Sequence, residues 1–172
     1  MKHKTSTTTS TTNDTKDTKV QITTGLLLCV LGVLCGGLLL SARHVNAADA
    51  TSSMIDHAVA IQASLSHDKM DGVGANAAAI SAAATTLGKP AEKIVAGALA
   101  LQKAAKIADA REAFGRLSEA LVGYLDAEKQ KPGDGVRVAY CPMARKPWLQ
   151  KDGTIQNPYY GSQMLTCGSF RP

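Results

Sequence analysis

Four sulfur-bearing side chains lie near the C-terminal end of the chain in two pairs. Cys141 and Met143 are two residues apart, and Met164 and Cys167 are three apart. Residues at i and i+2 share one face of an extended segment, and residues at i and i+3 share one face of a helical turn. Residues 151–153 predict a tight turn between two short extended runs, which would place the cysteines opposite each other and the methionines likewise. Because soft thiolate and thioether donors favour Cu(I), this pattern predicts a soft-metal site.

The N-terminal residues 1–47 are typical of an export signal. A polar, lysine-containing start is followed by an apolar run at residues 25–42, and small residues at Val45 and Ala47 suit a signal peptidase. Cleavage would then fall before Ala48. The alternative is an uncleaved membrane anchor formed by residues 25–42, since this run is about as long as the shortest membrane-spanning helices. Either outcome predicts a periplasmic or otherwise exported protein, with membrane contact only through an uncleaved N-terminal segment.

Export leaves two explanations open for the C-terminal cysteines. Cys29 and Cys35 belong to the apolar run, so cleavage leaves only Cys141 and Cys167 in the mature chain. In an oxidising compartment these two could form a disulfide that closes a loop of about 26 residues and contributes roughly 3 to 4 kcal/mol. The disulfide does not explain the neighbouring methionines, although methionine is also a common core filler. Spacing alone therefore leaves metal binding and a disulfide as competing interpretations.

Residues 48–128 predict an all-α region. Apolar residues at helical spacing indicate helices over residues 53–67, 69–87 and 90–106, the second of them capped by Asp68. A fourth helix begins at a cap at Asp109 and ends before Pro132. Its apolar stripe consists of Phe114, Leu117, Leu121, Tyr124 and Leu125. Four helices of this length with short connections predict an antiparallel four-helix bundle with a thin, alanine-rich core.

Residues 129–172 predict a small C-terminal β-hairpin-like lobe that carries the metal-binding residues. This segment has a net charge of +5, whereas residues 48–128 carry −3, so the basic tail could dock on the acidic helices or on an acidic partner. Five of the seven aromatic residues lie here, either as fillers of a small core or as a cover for a bound cation. Residues 136–140 alternate apolar and polar, which predicts a strand.

No catalytic pattern is present, so we predict that the protein is not an enzyme. His57 and His67 have no neighbour that would form a nucleophile and base pair, and both are predicted to be solvated or capping residues. Phosphate loops and the spaced zinc motifs are also missing from the sequence. A nucleic-acid partner is not expected, because the basic residues of the tail are scattered: Lys131, Arg137, Arg145, Lys146 and Lys151.

The sulfur-bearing tail also contains a longer motif, with YCPMA at 140–144, WL at 148–149, NPYYG at 157–161 and MLTCG at 164–168. This motif resembles that of a family of exported domains of unknown function. Members occur alone or fused to periplasmic adaptor subunits of copper and silver efflux systems. Residues 114–121 are similar to the last helix of the same family, so the resemblance spans most of the mature chain and is specific in the tail.

The resemblance implies a helical bundle with a C-terminal heavy-metal-associated motif and no known catalytic activity. By position, the implied ligands are Cys141, Met143, Met164 and Cys167, with Cu(I) or a similar soft metal as the bound ion. A heavy-metal efflux adaptor subunit is the implied protein partner. Short motifs of other copper exporters continue with His where this chain has Ala144, which removes one expected ligand.

Overall fold

The computed structural model describes residues 46–172, which belong to one compact unit. The predicted signal or anchor, apart from its last two residues, lies outside the described residues. Four α-helices and three short strands follow in order, with two short 3-10 turns: α1 Ala47–Ser66, α2 Val73–Thr86, a 3-10 turn at Lys89–Ala91, α3 Glu92–Gln102, α4 Ile107–Ala127, β1 Val136–Cys141, β2 Lys146–Lys151, a 3-10 turn at Gly161–Gln163 and β3 Ser169–Phe170. Within this part of the chain, none of the helices combines the length and apolar character that crossing a membrane requires.

The helices begin at different residues from those that the sequence predicts. Helix α1 begins at Ala47, because the side chain of Asn46 accepts a hydrogen bond from the N–H of Ala48 and caps the first turn. Helix α2 begins only after Gly72, which has a φ of 72°. Asp68 is not its cap, so this prediction was wrong; the Asp68 carboxylate is bound elsewhere, by Arg111 and Ser162.

The packing of the helices follows their order in the chain. Helix α1 packs on α2, α2 on α3 and α3 on α4, and strand β2 then packs against both α4 and α1. The sheet thus occupies the side of the molecule between the first and last helices, and α1 and α4 contact each other only slightly. The expectation of a mostly helical chain with a small C-terminal sheet is confirmed, and a four-helix bundle remains a prediction.

The C-terminal sheet is antiparallel, with the strand order β2-β1-β3. Strands β1 and β2 form a hairpin whose closing pair is Cys141 and Lys146, so its turn is made by residues 142–145. The prediction of the hairpin turn at residues 151–153 was wrong. Pro142 lacks the N–H needed to continue the strand ladder, and Arg145 takes a left-handed conformation with φ of 55°, which returns the chain to β2.

Ion pairs join the basic tail to the acidic fourth helix. Lys146 Nζ lies 3.1 Å from Glu119 Oε2, and Arg171 Nη1 lies 3.4 Å from Asp126 Oδ2. These contacts fulfil the expectation that the positive tail docks on the negative helices. The pairs are partly exposed and each contributes little to stability, so burial of β2 against the apolar stripe of α4 is the main attachment.

Candidate metal centre

The structure brings Cys141 and Cys167 together. Their Sγ atoms lie 3.7 Å apart, and the two thiols are not bonded to each other. Cys141 is completely buried, whereas Cys167 is partly exposed. The two predicted cysteine ligands therefore form a pair, although the chain reverses direction elsewhere than predicted.

Cys141 is placed by the first strand and the turn that follows it. It is the last residue of β1, and the residue two positions earlier on the same face of the strand, Ala139, is also fully buried. In the turn, the N–H of Ala144 points back to Cys141 Sγ at 3.3 Å. This hydrogen bond fixes the position of the Cys141 sulfur within the turn.

Cys167 is placed by pairing of β3 with β1. The register pairs Tyr140 with Ser169, so the residues just before Ser169 pass beside the end of β1. Gly168 has a φ of 137°, and a Cβ atom at this position would lie 2.7 Å from the Trp148 ring and 2.9 Å from the carbonyl oxygen of Tyr140. Only glycine lets the chain approach this closely, and this approach sets the position of Cys167.

Asn157 fixes the loop that carries Cys167. Its side chain is fully buried, and its Nδ2 donates to the carbonyl oxygen of Cys167 at 2.7 Å. Its backbone N–H donates to the carbonyl oxygen of Leu165 at 2.7 Å, and its Oδ1 accepts from the N–H of Tyr159 at 2.8 Å. The asparagine thus holds both the start and the end of the segment 159–167 that follows it. The sequence marks Asn157-Pro158 as a turn signal but does not indicate this role.

The environment of Cys167 opposes ionisation of its thiol. Burial raises the pKa of the Cys167 thiol above its ordinary value, and the hydrogen bond and negative charge of Cys141 raise it further. The N–H of Met143 acts in the opposite direction. Burial is the larger effect, because it removes the solvation of a charged sulfur, and repulsion by a neighbouring negative charge disfavours the thiolate further. A bound cation would remove this repulsion, so the pair suits a metal better than it suits two free charges.

Met143 and Met164 both lie at the surface. Met143 is in the hairpin turn and is 64% exposed, and Met164 directly follows the second 3-10 turn and is 37% exposed. Residues that serve as core fillers are buried, so the structure gives these two methionines no packing role. Their exposure leaves both thioethers accessible to a soft metal ion.

The donor set near the cysteines contains few hard ligands. Across residues 46–172, no three side chains of His, Cys, Asp or Glu come together in a metal-binding group. His57 Nδ1 lies 2.8 Å from Asn76 Oδ1, and His67 Nδ1 lies 2.9 Å from the carbonyl oxygen of Ala63 at the end of α1. Both histidines are therefore engaged in helix contacts, and within residues 46–172 no third side chain of these four types joins the thiol pair.

The aromatic residues beside the pair form a core. Trp148 is completely buried, and its ring meets Tyr159 edge-on at a centroid distance of 5.8 Å. Tyr159 also contacts Phe114 of α4 at 6.1 Å and donates its hydroxyl hydrogen to the carbonyl oxygen of Pro147. Burial raises the pKa of Tyr159, so the phenol stays protonated. These rings fill the space between sheet and helix, as small folds require.

A clamp that the sequence analysis missed attaches the NPYYG segment to the helices. Arg111 on α4 donates to the carbonyl oxygens of Leu65 and Pro158, each at 3.1 Å, and to the carboxylate of Asp68. Asp68 also accepts the N–H of Ser162 at 3.1 Å. Arg111 and Asp68 are 43 positions apart, and neither spacing nor composition indicates their pairing.

The tail motif therefore supports the site in two ways. Its cysteines form the thiol pair, and its NPYYG segment supplies the asparagine and the loop that hold Cys167 in place. Its methionines remain at the surface. No family model matches this chain, and no curated protein or solved structure matches it either.

Proposed function

We propose that the reduced protein binds one soft metal ion, Cu(I), through Cys141 and Cys167, with Met143 and Met164 completing the site. The observation that carries the proposal is the 3.7 Å separation of the two Sγ atoms. Two thiolate sulfurs that each lie about 2.3 Å from one ion at a tetrahedral angle are roughly 3.7 to 3.8 Å apart. The thiol pair thus has the spacing of two ligands to one ion.

The chemistry of the donors supports a soft metal. Thiolates supply the charge and most of the affinity, and neutral thioethers shift the preference towards Cu(I) over Zn(II). Binding releases the thiol protons, because only the thiolate coordinates. The bound ion is cargo in this proposal, and the protein serves metal handling in the cell envelope. The resemblance of the tail to domains fused to copper and silver efflux adaptors supports such an adaptor subunit as the partner.

The same pair supports a second candidate, an envelope interaction module without metal. A Cys141–Cys167 disulfide requires the sulfurs to approach from 3.7 Å to about 2.05 Å. Because the two cysteines are 26 positions apart, the bond would contribute roughly 3 to 4 kcal/mol in the chain-entropy treatment. In this candidate the helices bind the partner and the sulfurs have only a structural role.

Competition titration with a Cu(I) chelator tests the metal proposal. The parent for the titration carries Cys29→Ser and Cys35→Ser, so that only the C-terminal pair reports. In this background, Cys141→Ser and Cys167→Ser should each weaken Cu(I) binding by about a hundredfold or more, because each removes one of two charged donors. Unchanged affinity in both variants would refute the site. Protein isolated from the envelope with both thiols blocked and no metal would instead favour the disulfide candidate.

A further inference from the structure

The two thiols differ in their access to solvent. Cys141 is 0% exposed at the end of β1, and its Sγ atom is enclosed by the turn that follows, with the Ala144 N–H at 3.3 Å. Cys167 is partly exposed and lies in the loop between the second 3-10 turn and β3. Cys167 therefore presents part of its surface to a reagent in the folded protein, whereas Cys141 presents none.

We infer that Cys167 is a modification site at which small organic disulfides enter, and that Cys141 is the residue that resolves the adduct. In the first step Cys167 gives up its thiol proton and attacks the external disulfide. A new bond joins Cys167 Sγ to one half, and the other half leaves as a thiolate that takes up a proton. In the second step the Cys141 thiolate attacks Cys167 Sγ and displaces the remaining half. The external disulfide is reduced to two thiols, which take up the two protons, and the cysteine pair is oxidised.

The geometry favours resolution over a stable adduct. Cys141 Sγ lies 3.7 Å from Cys167 Sγ, so a shift of less than about 2 Å completes the intramolecular bond. The hydrogen bond from the N–H of Ala144, at 3.3 Å, fixes the position of Cys141 Sγ beside its partner. Asn157 holds the carbonyl oxygen of Cys167, which keeps Cys167 in place beside Cys141.

This order of reaction does not depend on metal binding. The assay contains a chelator that excludes metal ions, so the exchange would persist if the pair bound no copper. Conversely, metal binding would persist if both thiols proved equally accessible. The two proposals can therefore fail separately.

The test uses dithiodipyridine, which releases a coloured product for each thiol that reacts, on the full chain carrying Cys29→Ser and Cys35→Ser. The parent should release two equivalents and retain no adduct. Cys141→Ser should release one equivalent and retain an adduct that peptide mapping places on residue 167. Cys167→Ser should react at least about tenfold more slowly than Cys141→Ser, because its remaining thiol is buried. In denaturant the rates of the two variants should converge.

A measurement on the parent alone tests the inference even if the variants fail to fold. A brief pulse of an alkylating reagent, followed by mass spectrometry, should label Cys167 before Cys141 in the folded protein. Equal labelling of both cysteines, or preferential labelling of Cys141, would overturn the inference. A parent that retains two adducts after dithiodipyridine treatment would also overturn it, since the second thiol would then have reacted with reagent rather than with its neighbour.

Discussion

At the scale of single residues, the proposed site combines a pair of thiols, one of them fully buried, with two methionines at the surface. Cys141 is buried and Cys167 is partly exposed, whereas Met143 and Met164 are exposed by 64% and 37%. Neither methionine belongs to the hydrophobic core. Their contribution to binding can therefore be measured without disturbing the core.

We predict that Met143→Leu and Met164→Leu each weaken Cu(I) binding by about two- to tenfold, less than either cysteine variant. Leucine keeps the volume but removes the sulfur, and a neutral thioether adds less affinity than a thiolate. Met70→Leu provides the control, because Met70 packs against the core and lies outside the tail motif in the sequence. Competition titration measures all three. Equal weakening in the Met70 variant would show that the methionines act through packing rather than coordination.

Asp68 is the residue whose ionisation the fold changes most clearly among the carboxylates. Hydrogen bonds from Ser162 and Arg111 lower the pKa of Asp68 from 3.8 to about 2. The folded state therefore holds the proton less tightly than the unfolded state. The stabilisation from this group is complete above about pH 4 and is lost as the pH falls towards 2.

We predict that Asp68→Asn removes this part of the acid sensitivity. Asp68 has a φ of 58°, a conformation that asparagine tolerates, so the substitution leaves the backbone unstrained. The parent should be more stable than the variant at about pH 5, and the difference should shrink as the pH falls to about 2. Urea midpoints over this range measure it. A difference that stays constant with pH would mean that the Asp68 carboxylate is not ionised differently in the folded state.

At the scale of elements, helices α3 and α4 approach each other closely at Gly97, where α3 packs against the backbone of α4. A Cβ atom at Gly97 would lie 2.9 Å from the Cα and 3.2 Å from the Cβ of Leu117. Gly123, also in a helix, has open space around the same position. These two glycines differ in their surroundings rather than in their helical propensity.

We predict opposite effects for Gly97→Ala and Gly123→Ala. Both substitutions gain helix propensity of up to about 1 kcal/mol, so Gly123→Ala should stabilise the protein by about 0.5 to 1 kcal/mol. At Gly97 the added methyl would lie too close to the backbone of α4 at Leu117. The resulting overpacking costs about 1 to 3 kcal/mol of stability, which outweighs the gain in helix propensity. Urea titration of both variants gives the two signs. A similar gain at both positions would show that α3 and α4 can move apart freely.

The positions of the helices, turns and strands show which parts of the fold can be predicted from sequence patterns. Periodicity predicts the four helices and the buried stripe from Phe114 to Leu125, because one face of each helix must meet the core. The helix starts depend on single caps such as Asn46 and Gly72, which compete with other plausible caps nearby. The hairpin turn was misplaced because two segments, 142–145 and 151–153, both contain turn-forming residues. The sequence predicts Cys167 opposite Cys141, but through a hairpin turn at residues 151–153. In the structure the approach is produced by the pairing of β3, a strand of only two residues, with β1.

At the scale of the whole molecule, the sheet completes the packing that the helices begin. Residues 147–150 of β2 are all buried, so both faces of this edge strand are covered. Strand β2 contacts both α1 and α4, and Tyr159 bridges Trp148 of the sheet and Phe114 of α4. The Asp68–Arg111 clamp attaches the tail at a further point. The thiol pair is therefore built on a sheet whose stability depends on the helices.

We predict that the helices and the C-terminal sheet of the metal-free protein unfold in one transition. Trp148 is the only tryptophan in the chain and lies buried in the sheet, so its fluorescence reports the sheet, while far-ultraviolet circular dichroism reports the helices. The two signals should give the same urea midpoint and slope, because β2 and the aromatic contacts cannot separate from α4 without exposing both cores. Cu(I) at about a hundredfold excess over its Kd should then stabilise both signals by about 2.7 kcal/mol, although it binds only in the tail. A fluorescence transition that precedes the helical one would show that residues 129–172 form a separate unit, in which case metal would shift the fluorescence curve alone.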